Sequence, residues 1–184
     1  MKGFLPINEP LQGYSSINEN SLTKLQELAT KLPKLLLTDR LETNITMMSD
    51  DDLCVDSLIQ NGSLEEIKLS MVQLSFIAHA YILGGAEPKS NLPRVIAKPW
   101  VSISKKLERP PVLSYASYCL DNWYLMNSEE PINLNNVALI NNFLGGIDED
   151  WFVTIHVCIE DAARDAMEAS KLLSQCTEES EESY

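Results

Sequence analysis

One stretch constrains this chain more than any other: "SLEEIKLSMVQLSFIAHAYILGG", residues 63–85. Ser63 followed three residues later by Glu66 is a capping-box pattern, in which each side chain satisfies a backbone amide at the helix start. The pair Gly84-Gly85 supplies the stop. Between these signals the first half is amphipathic, whereas from Met71 onward the run is apolar on nearly every face. A helix of that kind belongs deep in a core, enclosed by other elements. At 184 residues the chain has the material to enclose it, since a domain of this size buries about 70% of its unfolded surface.

The remaining segments supply the enclosing elements. "SLTKLQELATKLPKLLL" places Leu22, Leu25, Leu28 and Leu32 at helical spacing, and Pro33 is expected to kink or end that helix. "TMMSDDDLCVDSLIQNG" reads as short helical pieces stopping at Asn61-Gly62. "NLPRVIAKPW", with its close prolines, reads as an extended crossing segment, followed by a short helix in "VSISKKLE". "VLSYASYCLDNWYL" reads as a further helix, because Pro111 suits a first turn. "LNNVALINNFLGG" is a weaker helix closed by Gly145-Gly146. The last helix starts in Asp148-Glu149-Asp150, which suit the positive end of a helix dipole, and runs through His156 to about Gln175. No strand pattern is strong and no repeat is present. The expected fold class is mainly α, with short extended segments near residues 92–102.

Charge excludes some functions. A net charge of −13 argues against a nucleic-acid or anionic-membrane partner, both of which need a basic face. No apolar run reaches the roughly 18 residues of a membrane span, and the first residues lack a signal-peptide core. A cytoplasmic location is the expectation. The four cysteines show no paired spacing, so neither disulfides nor a zinc site is expected. Glu178, Glu179, Glu181 and Glu182 read as a solvated, disordered acidic tail over residues 177–184.

Both histidines lie in apolar runs. On the last helix His156 shares a face with Phe152, Ile159 and Ala163, so it is buried or lines a pocket. A histidine so placed is either a core residue bonded to a carbonyl or a functional group, and the residues alone leave both open. His79 has the core reading. Tyr115, Tyr118 and Cys119 recur at spacings of three and four; such a stripe is either core or the flat wall of a cavity for an aromatic ligand. No nucleophile–base pair, phosphate loop or metal-ligand set is present.

Three stretches, "GFLPINEPL", "LPRVIAKPWVSISKKLERPPVLSYASYCLDNWYL" and "DEDWFVTIHVCIE", together resemble the indoleamine 2,3-dioxygenases. The middle one is the most specific, being long, ungapped and rich in unusual residues. The resemblance covers about residues 3–168. It implies a mainly α-helical haem protein in which a small N-terminal domain caps a larger helical one, with haem b held between them. The implied reaction inserts dioxygen across the indole C2–C3 bond of L-tryptophan to give N-formylkynurenine, in the kynurenine pathway. The resemblance further implies substrate-binding roles for Tyr115, Tyr118, Cys119, Phe152 and Val153. Aligned through Glu160, Phe152 falls on the phenylalanine that packs on substrate, and Val153 on a neighbouring aromatic position. His156 takes a distal position near the substrate and is the implied catalytic residue. Related tryptophan dioxygenases use a distal histidine to hydrogen-bond the indole N–H.

Carried onto the chain, the resemblance implies an irregular lead-in over residues 1–20 and a helical small domain over 21–145. The first helix of the haem-binding domain would be 146–176. The family's proximal haem-ligating histidine, its substrate-carboxylate arginine and its glycine- and serine-rich loop have no counterpart in these residues, so no metal ligand is assigned. The chain alone is expected to be inactive as a dioxygenase. Its expected partners are L-tryptophan or a related indole, dioxygen, and a C-terminal half, a separate chain or a second copy that covers the exposed face. The alternative is a non-catalytic cap-domain protein acting through protein–protein interaction.

Overall fold

The computed structural model describes residues 3–15 and 20–181, with side-chain surroundings through residue 175. The architecture is mainly α. At its centre stands α4, Leu64–Leu83. Its start is the expected capping box: Ser63 Oγ accepts the Glu66 amide at 3.2 Å, and the Glu66 carboxylate accepts the Ser63 amide at 3.0 Å. Met71, Val72, Leu74, Phe76, Ile77 and Ala78 are all buried, as a helix apolar on every side requires. Two longer helices, α1 (Asn20–Leu37) and α5 (Arg94–Leu107), pack along it. Gly84 ends α4 where Leu36 of α1 comes close; a Cβ there would lie 2.6 Å from a Leu36 methyl. Two short helices, α2 (Leu41–Thr46) and α3 (Asp56–Asn61), complete this layer, the second ending at the expected Asn61-Gly62 stop.

Two prolines, Pro33 and Pro99, lie inside helices. Pro33 lies inside α1 without ending it. An interior proline costs about 3 kcal/mol, whereas each fully buried leucine contributes roughly 1.5–3 kcal/mol. Leu22, Leu25, Leu28 and Leu32 are all buried, so the packed stripe wins. The extended segment expected near residues 92–102 is instead helix α5. Pro93 is its N-cap with φ −58° and ψ 147°, so only the approach is extended. Pro99 is absorbed because Val95, Ile96, Pro99, Trp100 and Ile103 form a buried helical stripe.

The segment "VLSYASYCLDNWYL" is not the expected α-helix. It forms one π-helical turn, Ala116–Leu120, followed by β1, Trp123–Leu125. The Asp121 amide reaches back five residues to the Ala116 carbonyl at 2.8 Å. Asn122 then ends the turn: its Nδ2 donates to the Tyr118 and Asn141 carbonyls at 3.2 and 2.8 Å, while its Oδ1 accepts the Asn141 amide at 2.8 Å. That bond between distant segments draws "LNNVALINNF" into β2, Val137–Leu139, rather than the expected weak helix. The strands pair antiparallel, Trp123 opposite Leu139 and Leu125 opposite Val137.

The last helix, α6, runs Ile147–Glu181, beyond the expected end near Gln175 and through much of the expected acidic tail. Residues 182–184 of that tail lie outside the described residues. A second, smaller core holds α6 to the hairpin, through Leu5, Cys119, Trp123, Val137, Val153 and Val157. The lead-in is irregular yet packed: Leu5 belongs to this second core, and Tyr14 is buried in the first, its hydroxyl donating to Gln73 Oε1 at 2.7 Å. Residues 1–2 and 16–19 of that lead-in lie outside the described residues. No helix among the described residues is long and apolar enough to cross a membrane.

Candidate functional site

The π-helical turn and the N-terminal half of α6 face each other, and their aromatic residues meet. Phe152 lies 4.4 Å from His156, centroid to centroid, and 5.7 Å from Tyr118. Tyr115 presents its ring to His156 at 5.8 Å with the planes 75° apart, an edge-to-face contact. Tyr118 continues the series inward, stacking on Phe76 at 5.5 Å and on Phe143 at 6.3 Å. The result is a continuous aromatic wall from the core at Phe76 to the surface at Tyr115. Phe152 and Tyr115 remain 46% and 43% exposed, so the wall offers aromatic surface to a ligand.

His156 is half-buried in this wall. Its Nδ1 lies in hydrogen-bond range of the Phe152 carbonyl. A carbonyl only accepts, so Nδ1 carries a proton, and the tautomer with that single proton has its lone pair on Nε2. Among the described residues Nε2 has no hydrogen-bond partner. The Tyr115 hydroxyl donates to Glu160 Oε1 at 3.0 Å, tying the π-helical turn to α6 one helical turn past His156. Glu160 was not among the residues that sequence pattern singles out; its pairing depends on the turn lying against α6.

Two of the residues expected at the site lie behind the wall. Val153 and Cys119 are both fully buried in the second core. Burial pushes the Cys119 thiol up to about 11, with the Glu160 carboxylate adding to the effect. Burial also raises the Tyr115 phenol above its ordinary range, reinforced by its bond to the Glu160 carboxylate. Tyr118 is raised for the same first reason, and next by the Glu149 carboxylate. These groups stay protonated at neutral pH.

His79 is separate. Its Nδ1 is 3.0 Å from the Ser75 carbonyl, its Nε2 accepts the Leu113 amide at 3.5 Å, and its ring meets Trp100 edge-on at 5.8 Å. Both ring nitrogens are therefore engaged within the protein. It borders an apolar recess of about 460 Å³ beside Phe143 that none of the wall residues Tyr115, Tyr118, Phe152 and His156 lines.

The wall suits one face of a flat apolar group such as a haem or an indole, and its nitrogen donor without a partner among the described residues is His156 Nε2. Among the described residues no cluster of three His, Cys, Asp or Glu side chains could hold a metal. His79 is engaged and Cys119 is a buried, protonated thiol.

This is a helical protein that presents a histidine-centred aromatic wall between a small compact core and a long helix. The model of the family "Indoleamine 2,3-dioxygenase" matches residues 1–183, and the chain belongs to that family. It is 32% identical to the indoleamine 2,3-dioxygenase of Saccharomyces cerevisiae over 163 residues, 86% of this chain and 35% of that protein. It is 29% identical to indoleamine 2,3-dioxygenase 2 of Mus musculus, over 78% of this chain and 35% of the relative. The human indoleamine 2,3-dioxygenase 2 is likewise 29% identical, over 82% of this chain and 36% of its own length. The chain thus spans about a third of the length of the curated relatives it matches.

Proposed function

We propose that this chain provides the substrate-facing wall of an indole-oxidising dioxygenase site, of the kind that opens the ring of L-tryptophan to N-formylkynurenine with haem b and dioxygen. The observation that carries this reading is the contact of Tyr115, Tyr118 and Phe152 around His156, whose Nε2 has no partner among the described residues. An indole ring stacks on such a wall, and its N–H needs an acceptor, which the neutral Nε2 provides. Val153 and Cys119 shape the wall from behind. When bound, haem supplies the activation of dioxygen. This chain's residues bind and orient the indole and exclude water from its face. On this reading α6 is the first helix of the haem-holding domain, and the helical unit before it is the cap.

The test has two parts. Indole added to the chain shifts the NMR signals of Phe152, Tyr118 and His156, and Phe152→Ala reduces the Tyr118 and His156 shifts at the same indole concentration. No perturbation of the wall at saturating indole overturns the reading. Haem titrated into the chain gives only the broad spectrum of adsorbed haem, oxidised or reduced under carbon monoxide. A sharp, saturable Soret band lost in His156→Ala shows instead that the iron ligand lies in this chain.

A second reading is favoured by one observation: Leu144, Ile147, Trp151 and Ile159 lie exposed around the wall. Exposed apolar surface of this kind marks an interaction face, and a non-catalytic chain would use it to hold a partner. Light scattering after size exclusion distinguishes this reading, which requires a dimer or complex; a clean monomer counts against it.

A further inference from the structure

We propose that Glu160 is a positioning residue of this site, which fixes the Tyr115 ring against His156 through the Tyr115 hydroxyl and so sets the placement of the free His156 Nε2. The inference rests on the reading of His156 as the acceptor for an indole N–H. Tyr115 is 43% exposed, so packing alone does not hold its ring in one orientation. Its far end is anchored by the 3.0 Å bond to Glu160, and the ring between backbone and anchor meets His156 edge-on at 5.8 Å. His156 is thus bounded by the face of Phe152, by its own bond to the Phe152 carbonyl, and by Tyr115 from the opposing element.

Glu160 is free for this role. The cation one turn further along α6, Arg164, pairs instead with Asp161 at 3.4 Å and Asp165 at 3.5 Å. The helix itself is held at this point. Gly3, at φ +64°, packs so closely that a Cβ there would lie 3.0 Å from the Glu160 carbonyl, and Leu5 and Val157 share the second core beneath. The anchor therefore has a fixed base, and its loss releases Tyr115 without releasing α6.

The experiment compares indole with 1-methylindole, the same ring without its N–H, titrated into the full chain and followed at the His156 and Phe152 resonances. One hydrogen bond of ordinary strength gives the unsubstituted chain a roughly three- to tenfold preference for indole. Glu160→Ala and Tyr115→Phe bring the two ligands to near parity by weakening indole alone. Glu160→Gln, whose amide oxygen still accepts the hydroxyl, retains the preference. Unchanged preference in both Glu160→Ala and Tyr115→Phe overturns the inference and leaves the reading of His156 standing. So does equal weakening of both ligands, which is a loss of the wall. Loss of the preference in Glu160→Gln as well assigns the effect to charge and also overturns it. Parity in the unsubstituted chain overturns the reading of His156, and this inference with it.

Discussion

The Glu149 carboxylate accepts the Phe143 amide at 2.7 Å, and the amides of Leu144 and Gly145 at 3.0 and 3.2 Å. The first turn of α6 thereby closes the loop that precedes it, with Gly145 at φ +71° completing the bend. Phe143 is held in place to meet Phe76 at 4.7 Å with the rings tilted 35°, and to stack on Tyr118 at 6.3 Å. The start of α6 and the aromatic wall are one mechanical unit.

Replacing Glu149 by Ala should therefore cost about 1–3 kcal/mol, the range for losing a charged acceptor of hydrogen bonds, measured by urea denaturation. A second signature is electrostatic. Glu149 is the next cause after burial holding the Tyr118 phenol high, so Glu149→Gln should lower the Tyr118 pKa. Burial remains, so the phenol should stay above its ordinary range. Phenolate absorbance in an alkaline titration reads the change. An unmoved Tyr118 would show that the carboxylate does not act on the wall.

Local signals made the centre of this fold legible, and non-local bonds hid the rest. The capping box at Ser63 and Glu66 and the all-round apolarity of α4 are written within one segment, so the helix could be read directly. Pro93 and Pro99 suggested an extended path, because the stripe that overrules Pro99 acquires its value only when packed on α4. The hairpin depends on Asn122 bonding Asn141, nineteen residues away, which no window of neighbouring residues reveals. The site was partly visible for the same reason. Phe152 and His156 share a helical face by their spacing of four. Tyr115, Tyr118 and Cys119 read as one stripe, but the wider π-helical turn leaves both tyrosines on the wall and turns Cys119 into the second core.

Glu66 gives a pH dependence. Its carboxyl is held below the ordinary 4.5 chiefly by the Ser63 amide, with the Ser15 amide, 3.1 Å away, adding to it. A depressed folded-state pKa contributes stability that is fully present above the unfolded value of about 4.5 and is lost as pH falls through the lower folded value. Glu66→Gln should therefore lose about 1 kcal/mol at neutral pH, the usual scale for a cap. Its stability should also fall less steeply on acidification. Urea midpoints at several pH values between neutral and strongly acid measure both effects; parallel curves for the two proteins would contradict the assignment.

Trp100 and Ser75 test the core. The indole N–H of Trp100 donates to Ser75 Oγ at 3.0 Å, and both residues are buried where α5 crosses α4. Ser75→Ala removes the acceptor and leaves a buried donor unsatisfied, a cost of about 1–3 kcal/mol. In Trp100→Phe the donor is gone, so adding Ser75→Ala to that background should cost little. A double-mutant cycle of denaturation energies should then show strong coupling; additive effects would rule out the bond.

Phe152 and Val153 are adjacent in sequence yet belong to different physical environments, and this separates ligand binding from folding. Phe152 is 46% exposed on the wall, whereas Val153 is fully buried with Leu5, Cys119 and Trp123. Phe152→Ala should weaken indole binding while changing stability little, because nearly half of its surface is open and it lies outside both buried cores. Val153→Ala should behave in the opposite way, losing about 1–3 kcal/mol of stability through the cavity it leaves. Its affinity for indole should stay unchanged as long as the chain remains folded. Enlarging the same position, Val153→Phe, should also destabilise, by about 1–3 kcal/mol through overpacking. Indole titration and urea denaturation of the three variants decide the matter. Weakened indole binding in a stably folded Val153→Ala protein would place Val153 at the ligand surface, and the wall would then have to be redrawn around it.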